Sequence, residues 1–219
     1  MSDDQDGDGT RLSLRERKKL LTRQALIGAA EEMFAERGFD KVTVAEIADA
    51  ANVAAKTVFV YFPTKEDLVF HGEDEVLGTL VERIRNRPAG HTPLDAVADM
   101  LGEAMTTSPD GAVTELDRLH RTVGDSAGLQ ARMRLMWEHF ELAVAAELAE
   151  ETGEPPYAPR PRIAAAQLVT IYRTMASPEV AAYIGAHPEN RRRKAFSDWL
   201  GVARKMTGEG IADYAKRAG

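Results

Sequence analysis

The chain has 219 residues, a formal net charge of −7 and no cysteine. Its length bounds it to one domain of fair size or two small ones, and the missing thiols exclude disulfides, thiolate metal sites and thiol redox sensing. No apolar run approaches the roughly 18 residues of a membrane helix, and the start is acidic where a signal peptide would be basic, so a cytoplasmic protein without membrane contact is expected.

Residues 1–12, rich in Asp and Gly, read as a disordered acidic tail. Arg15, Arg17, Lys18, Lys19 and Arg23 follow as a dense cationic cluster that precedes or opens a helix. Leu26, Ala30, Met33 and Phe34 then fall on one helical face, and Gly38 is a left-handed stop. Residues 11–65 carry ten Lys/Arg against seven Asp/Glu although the chain as a whole is acidic. The basic surplus is therefore local, as a nucleic-acid contact requires.

Thr43 and Glu46 have the spacing of a capping box. Ile47 and Ala51 share a face one turn apart, Ala48 is small where another helix must cross, and Asn52 suits a turn residue at positive φ. Val53 plugs the angle, and a second helix is predicted from about Ala54 to Tyr61, where Pro63 stops it. Thr64 and Asp67 repeat the cap. Two short helices on a tight turn make a helix-turn-helix, whose second helix enters the DNA major groove. Lys56 and Thr57 stand near its N-terminus, where base contacts are made. The cluster from Arg15 to Arg23 would track phosphates or reach a minor groove as a flexible arm; a solvated helix start is the plainer reading. Thr43 and the N–H groups after it would hold a phosphate at a helix N-terminus.

These residues resemble the tetracycline-repressor (TetR) family of bacterial transcription regulators. The resemblance covers about residues 15–70 and rests on Thr22-Arg23, Ala29-Ala30, Phe34, Gly38-Phe39, Thr43-Val44, Ile47-Ala48, Ala51, Val53, Thr57, Tyr61-Phe62 and Lys65-Glu66-Asp67-Leu68. It implies a three-helix DNA-binding domain over 13–68 and a helical effector-binding and dimerisation domain over 69–219. It further implies a homodimer on a palindromic double-stranded operator, most often a repressor released by a small molecule; an activator or a ligand-independent binder would share the sequence. Tyr61 and Lys65 match the family's phosphate-contact positions. Ala54, Ala55 and Val60 depart from the family, standing where many relatives carry Ser, Arg, Tyr or His. Such a helix offers few hydrogen bonds to bases, so specificity is expected to lean on Lys56, apolar contacts and DNA shape.

Beyond Leu68 only helical periodicity is visible, giving an all-α chain of about nine helices. A fourth helix is expected from about Lys65 to Arg85, then one from Thr92 or Pro93 to about Met105. A loop at Ser108–Gly111 precedes a helix from about Ala112 to Thr122, and the longest runs over about Ala127–Glu151. After a Pro-rich linker, helices are expected over Arg162–Ala176, with continuation past Ser177-Pro178 left open, and over Arg191–Met206, with a short piece at the C-terminus. By resemblance the last two long helices dimerise, through Leu168, Ile171, Phe196, Trp199, Leu200 and Ala203; ordinary core is the alternative. Met105, Leu116, His120, Met133, Trp137, Phe140 and Tyr172 are candidates for a pocket taking a small, largely apolar effector. An enzyme is the remote alternative. The five His are scattered, His71/Glu75 and the acids beside His139 lack a third ligand, and no phosphate loop or nucleophile elbow is present. No catalytic residue, metal site or cofactor is expected.

Overall fold

The computed structural model describes residues 13–107, 119–124 and 126–211. The predicted acidic tail, the loop at 108–111, most of the helix expected from Ala112 with the candidate Leu116, and any piece beyond residue 211 lie outside them. Every regular element among the described residues is helical, with no strand. The chain divides into two compact units, Met1–His71 and Gly72–Gly219.

In the first unit, α1 (Leu14–Arg37) starts from a capping box that Ser13 forms with Glu16, and it buries Leu26, Ala30 and Phe34 at four-residue steps. Gly38 ends it at φ 81°, ψ 150°. The sign of φ is as expected, but the pair lies in the extended region that glycine alone tolerates, not the left-handed helical one. A single 3-10 turn at Phe39–Lys41 leads to α2 (Val44–Ala50) and α3 (Ala55–Tyr61). Leu26, Ile47, Ala48, Val58, Phe62 and Leu68 close the core.

The expected helix from Lys65 to Arg85 is two separate elements. Thr64 and Asp67 do form the reciprocal bonds of a cap, but these serve one 3-10 turn, Glu66–Leu68. Leu68 and Phe70 are both buried, which an uninterrupted helix two residues apart could not achieve on one face. Helix α4 (Glu73–Arg85) starts afresh with Glu73, Asp74 and Glu75 in its first turn, the favourable end for acids.

The second unit contains α4, α5 (Pro93–Thr107), α6 (Ala127–Thr152), α7 (Pro159–Met175), α8 (Pro178–Gly185) and α9 (Glu189–Ile211). Thr92 caps α5, bonded reciprocally to Asp95. Helices α6 and α7 make the most extensive packing, and α4, α5 and α9 pack around them. Ser177-Pro178 breaks the chain: α7 stops at Met175, and Ser177 caps α8. Helix α4 is fastened to α6 by ions at both ends. Glu73 meets Arg132 and His139; Arg85 meets Glu147; Arg87, just past the helix, meets Glu151. No described helix is long and apolar enough to cross a membrane.

Candidate nucleic-acid interface

Thr43 caps α2 as predicted. Its hydroxyl donates to Glu46 Oε2 at 2.7 Å and accepts from the Glu46 N–H, while its own N–H donates to the same carboxylate at 2.8 Å. Arg37 adds a bond at 2.8 Å. The Thr43 hydroxyl, chiefly, with the backbone N–H and Arg37, lowers the Glu46 pKa from its ordinary 4.5 to about 2. A folded pKa below the unfolded one stabilises above the unfolded value and is lost as pH falls through the folded value. The cap of α2 is thus expected to hold at pH 4.5 and to fail only towards pH 2. In Thr43→Ala the Glu46 pKa returns towards 4.5, which carboxyl-carbon NMR titration reads directly; an unmoved titration would remove Thr43 as the cause.

The turn is made by Asn52 at φ 54°, the one non-glycine residue with positive φ among the described residues. The Val53 N–H donates to Ala48 O at 2.9 Å, fixing the bend. Helix α3 then buries Val58 and leaves Ala55, Lys56, Phe59 and Val60 exposed. Thr57 and Tyr61 flank this face, half-buried. Phe59 escaped the sequence reading, which named Ala54, Ala55 and Val60 as the apolar residues of the reading face. The spacing alone held no signal, since Phe59 and Phe62, three residues apart, would share a helical face.

Arg15, Arg17, Lys18 and Lys19 are exposed within the first turns of α1. They form a helical cationic surface, and the flexible-arm alternative does not apply to them. Arg23 and Lys65 differ. The Arg23 guanidinium donates to His71 O at 2.8 Å and lies 5.3 Å from the centre of the Phe62 ring. The Lys65 ammonium donates to Phe39 O and Val42 O, both at 3.0 Å, and sits 4.0 Å from the centre of the Phe39 ring. Two predicted phosphate contacts are thus built into the unit itself. His71 pairs with Glu31 at 3.1 Å, not with Glu75. No cluster able to hold a metal ion occurs among the described residues.

In the second unit Trp137, Phe140 and Tyr172 come together, with ring centres 5.5 Å (Trp137–Phe140) and 6.1 Å (Trp137–Tyr172) apart. Burial pushes the Tyr172 hydroxyl pKa up. Met105 is buried, while His120 and Met133 are half-buried. A cleft of about 400 Å³ lies elsewhere, between α4 and α5, lined by Glu82, Arg83, Asp99 and Glu103 among others; none of the effector candidates lines it. Of the predicted dimer residues, Leu168, Ile171, Phe196 and Leu200 are buried inside this unit. Their stripe faces this unit's own core. Trp199 and Ala203 stay half-exposed, next to exposed Val202 and Met206.

The first unit is a helix-turn-helix domain whose second helix presents an open face. Residues 26–71 match the profile of bacterial regulatory proteins of the tetR family. The HTH-type transcriptional regulator TcmR of Streptomyces glaucescens is 31% identical over 145 residues, 64% of this chain and 64% of that protein. The HTH-type transcriptional regulator LuxR of Vibrio harveyi is 44% identical over 86 residues, 39% of this chain and 38% of its own. The chain thus spans less than two thirds of each of these relatives. The crystal structure of NalD, the secondary repressor of the MexAB-OprM multidrug efflux pump in Pseudomonas aeruginosa, shares the fold. Its TM-score is 0.56 at 20% identity, covering 86% of this chain and 96% of that one.

Proposed function

We propose that this protein is a non-enzymatic cytoplasmic transcriptional regulator, a homodimer that binds a palindromic operator and is released by a small molecule held in its second unit. The observation that carries the reading is the open face of α3, set by Asn52 in a domain of the tetR family. Lys56 and Thr57 meet base edges, Tyr61 borders them, and Arg15, Arg17, Lys18 and Lys19 supply phosphate contacts. One such helix covers only a few base pairs, so a second copy is needed to reach the next half-site about 34–36 Å away. The Trp137–Phe140–Tyr172 cluster, with Met133 beside it in sequence, is the proposed apolar end of the effector site.

Footprinting upstream of the protein's own and neighbouring genes, with and without metabolites, tests the whole reading. A symmetric footprint that a metabolite abolishes is the expected result. Absence of any protected site across those regions would count against it.

The dimer face is proposed on α9, where Trp199, Val202, Ala203 and Met206 recur at helical spacing and Val202 and Met206 are 57% and 81% exposed. Met206→Glu is expected to weaken self-association by about tenfold or more, about 1.4 kcal/mol per tenfold, in sedimentation equilibrium. An unchanged dimer would move the interface elsewhere.

A further inference from the structure

We propose that α3 selects operator positions by apolar contact with thymine methyl groups, and that Phe59 and Val60 are its specificity-determining residues. The inference rests on the DNA-binding reading above and names what that surface recognises. Phe59 is 52% and Val60 76% exposed, whereas Val58 and Phe62, their neighbours in sequence, are 1% and 3% exposed. Ala55 and Lys56 stand one turn earlier on the same outward side. The reading face therefore consists of three apolar side chains and one cation. Ala54, the residue capping α3, adds a fourth exposed apolar group and makes no side-chain hydrogen bond.

Every base pair offers donors or acceptors in the major groove, but among unmodified bases only thymine offers an apolar group, its 5-methyl. Among the fully exposed side chains of this face Lys56 is the one donor and none accepts, the Thr57 and Tyr61 hydroxyls lying half-buried at its margin, so its centre cannot satisfy an adenine or cytosine amino group. Against such a face these edges would lose their water without a replacement bond. Thymine methyls lose nothing by being covered. The charge around the face fits the same occupant. The basic surplus of residues 11–65 and the exposed Arg15, Arg17, Lys18 and Lys19 suit a polyanion, where an apolar protein partner would need no such surplus.

The test uses the full-length protein. Duplexes enriched from a random library give the half-site, and each thymine is then replaced in turn by deoxyuridine, which removes only the methyl. At thymines facing α3 the substitution is expected to weaken binding about fourfold, the equivalent of one buried methylene at about 0.8 kcal/mol. Phe59→Ala or Val60→Ala should abolish the thymine–uracil difference at one position each while leaving the salt dependence unchanged. Should Phe59→Ala lose helicity by circular dichroism, Val60→Ala, at the more exposed position, carries the test alone. Equal affinity for thymine and uracil duplexes in the wild-type protein overturns the inference and leaves the DNA-binding reading intact. A library that enriches no sequence overturns both.

Discussion

Arg87→Met is expected to destabilise the second unit by about 3–5 kcal/mol, the range found when one partner of a buried ion pair is removed. The Arg87 side chain is wholly buried. Its guanidinium donates to Glu151 at 2.7 and 2.8 Å, to Ile84 O at 2.6 Å and to His91 O at 3.1 Å. One side chain thus closes the last turn of α4, holds the following loop and pins both to α6. Methionine fills much of the volume but supplies no donor. The Glu151 carboxylate, 20% exposed, would keep a charge in a site that no longer compensates it. The second substitution decides between charge and shape: Arg87→Met with Glu151→Leu should recover most of the loss, because an apolar pair is nearly neutral where a broken pair is not. Both tryptophans lie in the second unit, so fluorescence-detected urea unfolding reads this unit alone. A single-variant loss below about 1 kcal/mol would show that water reaches the pair freely.

Lys65→Met is expected to destabilise the first unit by about 2–4 kcal/mol, since two charge-assisted hydrogen bonds contribute about 1.5–3 kcal/mol each before partial rehydration of the carbonyls. The ammonium uses two of its three N–H groups on Phe39 O and Val42 O. It thereby ties the start of the last 3-10 turn to the segment between α1 and α2. Methionine keeps the length and loses the donors. Hydrogen exchange of the amides around residues 39–42 should accelerate accordingly. A phosphate contact has a different signature, lowering the slope of log affinity against log salt by about one. The internal role leaves that slope unchanged. A reduced slope with unaltered exchange would return Lys65 to the DNA surface.

The sequence showed local chemistry well. The box at Thr43 and Glu46, the positive-φ Asn52, the stop before Pro63 and the long α6 all depend on residues within a few positions of one another. What it concealed were decisions made across the fold. Lys65 finds its carbonyls 26 and 23 residues away, and nothing in a cationic residue's neighbours in sequence says whether its charge faces a phosphate or a helix end. The stripes Leu168/Ile171 and Phe196/Leu200 were visible as apolar faces, but periodicity gives a face its direction only relative to its own helix, not relative to a subunit's centre. The restart at Glu73 was hidden for a related reason. The Thr64–Asp67 cap is genuine, yet the need to bury Leu68 and Phe70 together ends its helix after one turn.

The ionic fastening of α4 to α6 also bears on heat. The cost of stripping water from charged groups falls as temperature rises, while apolar stabilisation per unit area levels off. The pairs Arg85–Glu147, Arg87–Glu151 and Glu73–Arg132 therefore gain relative weight on warming. In the second unit the α4–α6 seam is expected to weaken less on warming than contacts held by apolar surface alone.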